Sequence, residues 1–131
     1  MAESHQHGLS PVVRAWNETR QRPLAERVQI AHSLWSRTRG LLGTRELPAG
    51  EGLLLEPCSS IHSFWMRYAF DALFLNRDGE IVHAISRMRP YRVSRPVFSA
   101  HSVLELPAGT IEATASRRGD RVRVGPALGV A

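Results

Sequence analysis

Lysine is absent from all 131 residues, and every one of the 17 basic side chains is arginine. The first reading of that bias is a GC-rich coding sequence. The formal net charge of +5 draws the chain toward anionic surfaces in general and selects no partner. Cysteine is nearly absent too: the lone Cys58 cannot form an internal disulfide, so nothing in the chain demands an oxidising compartment. No apolar run is long enough to span a bilayer. The first residues carry Glu3, His5 and His7 where a secretory signal would place a basic and then an apolar segment, so the expected compartment is the cytoplasm. There is no Walker loop, no dinucleotide glycine fingerprint, no paired CxxC and no HExxH helix. No cofactor and no metal are therefore expected from motifs.

What is present reads as one globular domain. Apolar residues make up 43% of the chain and charged residues 22%, close to globular averages. A chain this long buries roughly two thirds of its unfolded surface. Residues 1–11 are polar, small and aperiodic, a frayed tail, which leaves 12–131 as a single domain without internal repeats.

Strand signals dominate that domain. Leu24, Glu26, Val28 and Ile30 alternate against Ala25, Arg27, Gln29 and Ala31, the period of a strand. Leu53-Leu54-Leu55 follows turn chemistry at Pro48 to Gly52. Asp71–Leu75 and Glu80–Ile85 flank Asn76-Arg77-Asp78-Gly79, a hairpin signal. Residues 87–96 hold two prolines and four arginines and read as a loop. Ser102–Leu106 is a further strand, Thr110–Ser116 one helical turn, and Arg121–Val124 a closing strand. Ser33 as N-cap, with Leu34, Thr38, Leu41 and Leu42 before Gly43, predicts one short amphipathic helix over 33–43. Short strands spaced by turns, with one helix, predict an all-β domain, a jelly-roll-like β-sandwich or barrel.

Between Pro57 and Gly79 the chain gathers its chemistry-bearing residues. Cys58, His62 and Met66 are four apart. On a helix they would share a face and suit a soft metal. On a strand, Cys58 and His62 would lie about 13 Å apart, too far to act together. The segment is expected to be extended, with Pro57, Ser59 and Ser60 allowing a bend. His62, Phe64, Met66 and Tyr68 would then form one face, and Ile61, Ser63, Trp65 and Arg67 the other. A free cysteine is more often a small buried hydrophobe than a nucleophile, and His62 more often a hydrogen-bonded pocket or core residue than a ligand. Met66 and Trp65 are packing residues first. Asp71 sits in an apolar run and needs an arginine or several backbone donors to stay charged. A structural anchor paired with Arg39 or Arg67 is preferred over a general base, since no second carboxylate accompanies it.

The order and spacing of Arg37-Thr38-Arg39-Gly40-Leu41-Leu42-Gly43, the Pro57–Gly79 stretch and Leu104-Glu105-Leu106-Pro107-Ala108-Gly109 resemble domain-of-unknown-function family 192, small domains mostly of bacteria and archaea with no agreed activity. The resemblance covers nearly everything after residue 12 and implies a jelly-roll-like β-sandwich with an aspartate at the Asp71 position. It departs at Gly52-Leu53-Leu54, where glycine-methionine is usual. Three functional readings follow. The first is a non-enzymatic module that binds a small ligand or a protein partner near Cys58, His62, Trp65, Met66, Asp71 and Arg39. The second is a thiol or metal protein using Cys58 with His62. The third and least favoured is nucleic-acid binding through the arginine-rich loop 87–95 with Tyr91 stacking on a base.

Overall fold

The computed structural model describes residues 13–32, 47–63 and 66–126. Seven strands build it: β1 (Val13–Asn17), β2 (Arg22–Ala31), β3 (Glu51–Leu55), β4 (Phe70–Leu75), β5 (Ile81–Met88), β6 (Ser102–Pro107) and β7 (Val122–Pro126). One short helix, α1 (Thr110–Thr114), is the helix among the described residues. The domain is all-β. The amphipathic helix expected over 33–43 lies outside the described residues.

All seven strands belong to one sheet, in the order β5-β4-β6-β3-β2-β1-β7. It is therefore one mixed sheet curled on itself, the barrel side of the sandwich-or-barrel expectation. Only β2 and β3 run parallel, with Val28 beside Gly52 and Ala31 beside Leu55. The curl brings the first residues of β5 against those of β7. Glu80 and Arg121 form an isolated bridge, and the Ile81 and Val122 amides donate to the Asp120 and Gly79 carbonyls at 2.8 and 2.7 Å.

Each face of the sheet has its own core. The concave face gathers Ala15, Leu24, Ala25, Val28, Leu54, Leu73, Leu75, Ile81, Leu104, Leu106 and Val122, residues drawn from all seven strands. The convex face carries Ala31, Leu53, Leu55, Phe70, Ala72, Phe74, Met88 and Val103, with Cys58, Ile61, Met66 and Val97 from loops packed upon them. Coverage on both sides explains why Leu53-Leu54-Leu55 and, apart from Asp71, Phe70–Leu75 are apolar without alternation and buried throughout. Complete burial of Phe70 and Phe74 stabilises the fold by about 2–3 kcal/mol each.

The hairpin between β4 and β5 forms where Asp-Gly chemistry places it. Asn76 Oδ1 accepts from the Asp78 and Glu80 amides, each at 2.9 Å, and Gly79 adopts φ +84°, a conformation that favours glycine. Strand β2 departs from its expected alternation: Leu24 and Ala25 are both buried, and Ile30 is exposed. The β1–β2 ladder shifts register twice, between Val13 and Ala15 and between Ala15 and Trp16. Such irregularities re-aim side chains relative to the pleat.

Candidate functional site: the loop layer on the convex face

Two loops cover the convex core. Residues 56–69 lead from β3 to β4, and residues 89–101 from β5 to β6. They zip together antiparallel: Ser63 N donates to Arg92 O at 2.9 Å, Tyr91 N to Ser63 O at 3.1 Å, Ser94 N to Ile61 O at 2.8 Å and Val97 N to Ser59 O at 2.8 Å. His62 and Val93 form a bridge. Ser63 Oγ adds a 2.6 Å bond to Arg89 O, and Ser94 Oγ accepts from Ile61 N at 2.9 Å. Residues 59–63 pair with the arginine-rich loop, whereas Met66 N turns back to Ser63 O at 3.2 Å, so the extended backbone expected through residue 68 is seen only in that first part. The expected strict alternation of faces is not kept, since Ile61 and Met66 both enter the convex core.

Cys58 and Met66 both belong to the core beneath this layer. The Cys58 thiol donates to Ser60 O at 3.1 Å, and its amide donates to His101 O at 2.9 Å. An open cleft of about 330 Å³ is lined by Pro57, Cys58, Ser59, Ser60, Ala100 and His101. The histidine lining this cleft is His101, which pairs with Glu56 at 3.2 Å. His62 is half-buried in the layer itself. Trp65 and Arg39 lie outside the described residues.

Asp71 is on the other side of the sheet. Its position in β4 pairs with Leu106 and shares the pleat of Leu73 and Leu75, which belong to the concave core. The carboxylate is fully buried and accepts from two backbone amides, Arg87 N at 2.8 Å and Ile111 N at 2.7 Å. Arg87 has φ +56° and lies where the β4–β5 ladder skips a residue between Phe70 and Ala72. Asp71 thus pins a bulge and caps the first turn of α1, whose N-cap Gly109 has no side chain to do so. The anchor role fits, but its partners are backbone donors; Arg67 is exposed. Glu105, also buried, pairs with Ala72 and faces the opposite side, so the sheet separates the two carboxylates.

A second buried polar cluster was not visible in the sequence reading. Asn17 Nδ2 donates to Ser116 Oγ at 2.8 Å and Asp120 Oδ2 at 3.0 Å, while Arg20 Nε reaches Asp120 at 2.9 Å. Burial pushes the Asp120 carboxyl up, but bonds from Arg20, Asn17 and the Arg117 amide, with the Arg20 charge, hold it below the usual carboxylate range. Its members are some 100 residues apart, so only the fold joins them. Among the described residues, no three of histidine, cysteine, aspartate and glutamate gather as a metal site.

What distinguishes the loop layer is its outer surface. Tyr68 is 53% exposed, Tyr91 71%, Val93 65% and Phe98 90%. These large exposed groups lie on two neighbouring loops. Residues 57–70 and 81–104 contain no carboxylate and hold Arg67, Arg87, Arg89, Arg92 and Arg95. Of these, Arg87 pairs with Glu112; outside the two runs Arg14 pairs with Glu26, Arg20 with Asp120 and Arg123 with Glu18. Arg67, Arg89, Arg92 and Arg95 are exposed, and no ion pair joins them to a carboxylate among the described residues. The field registers on His83: burial first, then the charges of Arg95 and Arg118, lower its pKa. The carboxylate-free run was available to a simple charge count; the exposure of Phe98 and Tyr68 was not. No helix among the described residues is long and apolar enough to cross a membrane.

The chain has relatives among known proteins. It is 31% identical over 110 residues to a UPF0127 protein of Thermococcus sibiricus, covering 81% of this chain and 71% of that one. It is 29% identical over 110 residues to a UPF0127 protein of Pyrococcus horikoshii, covering 82% and 95%. A crystal structure of a putative transcription regulator from Sinorhizobium meliloti matches with a TM-score of 0.71 at 24% identity, over 87% of this chain and 92% of that one. A protein of unknown function from Novosphingobium aromaticivorans matches with a TM-score of 0.71 at 19% identity, over 86% and 83%. Those two likenesses show the fold. The family model described as DUF192, "Uncharacterized ACR, COG1430", matches residues 15–124, and the chain belongs to that family.

Proposed function

We propose that this domain is a non-enzymatic binding module, its recognition surface the outer side of the loop layer above Cys58, His62 and Met66, and its partner anionic. The observation that carries this reading is the combination of exposed Tyr68, Tyr91, Val93 and Phe98 with Arg67, Arg89, Arg92 and Arg95, which form no ion pair among the described residues and lie in runs without a carboxylate. Three features support it over thiol or acid-base catalysis. Cys58 is buried with its thiol donated to a carbonyl. Asp71 is occupied by two amides, and the sheet stands between it and both Cys58 and Glu105.

The test is retention on immobilised heparin. A variant carrying Arg89→Ala, Arg92→Ala and Arg95→Ala is compared with one carrying Arg22→Ala, Arg27→Ala and Arg123→Ala, which has the same net charge. A dedicated surface predicts that the loop variant elutes at clearly lower salt than the control. Co-elution of the two would show that charge is felt only as a total, and the reading would fail.

A further inference from the structure

We infer that the loop layer binds single-stranded nucleic acid, with Tyr91 and Phe98 as stacking platforms and Arg89, Arg92 and Arg95 as phosphate contacts. This rests on the reading of the layer as a recognition surface and names its partner.

From Arg89 to Phe98 the chain reads Arg-Pro-Tyr-Arg-Val-Ser-Arg-Pro-Val-Phe, cation and ring by turns. Arg89, Arg92 and Arg95 recur every third residue, about 10 Å apart when extended. A single strand presents the same two chemistries, a row of phosphates and a row of flat bases, and single-strand binders meet them with basic grooves and aromatic faces. A duplex hides its base faces and must be read from a groove edge. An acidic peptide would satisfy the arginines and leave the rings in water.

Preorganisation points the same way. The segment is pinned to residues 59–63 by four backbone hydrogen bonds named above, and Pro90 and Pro96 stiffen it. Val97 and Ser94 are buried beneath it, so the side chains left outside face away from the sheet. Binding then costs little ordering of the backbone. Near its arginines the surroundings are free of carboxylate in sequence: Arg95 approaches His83 of β5 at 3.5 Å, Arg67 stands on the partner loop, and no carboxylate occurs in residues 57–70 or 81–104, while at the far end Phe98 shares a cleft with Arg77 and Asp78 of the β4–β5 turn.

The experiment is fluorescence anisotropy on the full chain with a labelled oligothymidylate of about 20 nucleotides, a duplex of equal length and a poly-glutamate peptide. Three phosphate contacts predict a salt slope of about −2.1, so affinity for the single strand should fall about 10-fold between roughly 50 and 150 mM salt. Tyr91→Ala and Phe98→Ala, both at exposed positions and checked for an unchanged melting temperature, should each weaken single-strand binding about fivefold or more. Arg123→Ala, on β7, should change it less than twofold, roughly its share of the long-range field.

Equal affinity for duplex or for poly-glutamate would overturn the inference. So would single-strand binding indifferent to Tyr91→Ala and Phe98→Ala. No binding of the oligonucleotide at low salt would overturn it too, and heparin retention that still depends on Arg89, Arg92 and Arg95 would then show that the recognition surface itself stands.

Discussion

Asp71 is where a single substitution should cost this fold the most for its size. Its carboxylate accepts the Arg87 and Ile111 amides at 2.8 and 2.7 Å from a fully buried position. Hydrogen bonds to charged groups contribute about 1.5–3 kcal/mol each, and removing the acceptor leaves two buried donors to be desolvated for nothing. Asp71→Ala should therefore lose about 3–5 kcal/mol, a large share of the 5–15 kcal/mol typical of a domain. Asp71→Asn keeps one acceptor oxygen and turns an N–H toward a second N–H, so about 2 kcal/mol is expected. Urea unfolding followed by tryptophan fluorescence measures both. The midpoint should fall with an unchanged slope, and melting should drop by about 10 °C or more for the alanine variant. Hydrogen exchange adds the local signature: the Arg87 and Ile111 amides should lose protection first. A cost below about 1 kcal/mol, or unchanged protection at those two amides, would refute the account of Asp71 as the pin of the β5 bulge and the cap of α1.

Other outcomes follow from the same geometry. The Asp120 carboxyl lies below its ordinary value when folded, so its contribution to stability is full above the unfolded value and is lost as pH falls through the folded one. Arg20→Ala should shrink that loss, seen as a smaller drop in melting temperature between about pH 5 and pH 3. Gly79→Ala should destabilise by about 2 kcal/mol or more: the added methyl would press on the Val122 carbonyl oxygen at a φ of +84°, and thermal melting checks it. Cys58 is 7% exposed, so its alkylation in native buffer should run about tenfold or more slower than in denaturant; equal rates would show the thiol is open.

The sequence made legible whatever local chemistry decides. The Asp-Gly hairpin, the Leu53–Leu55 strand, Ser102–Leu106 and the turn from Thr110 all stand where they were expected, because turn residues and apolar runs act over a few positions. Membership of an all-β family was legible for the same reason. Facing was harder to read. Two register shifts in the β1–β2 ladder spoil the alternation of β2, and no residue type announces them. Asp71 was recognised as needing partners, yet arginines were the visible candidates, while the donors are amides freed by a bulge and a helix start. The grouping of Cys58, His62, Met66 and Asp71 in one motif suggested one pocket. Strand parity instead sets Asp71 and Cys58 on opposite faces. The Asn17–Asp120 cluster spans a separation of 103 residues, beyond any local signal. The prolines and arginines of residues 87–96 announce a loop, but its pairing with residues 59–63 is set by the fold.

The central claim is that recognition belongs to the outer side of the loop layer. Titrating the 15N-labelled protein with oligothymidylate and following its amide resonances tests that claim most directly. The account predicts that shifts concentrate in residues 59–63 and 89–98, with Tyr91 and Phe98 foremost and Asp71, Ile111 and Asp120 unmoved. Shifts centred on the arginines of β1, β2 or β7, or on the concave core, would contradict it.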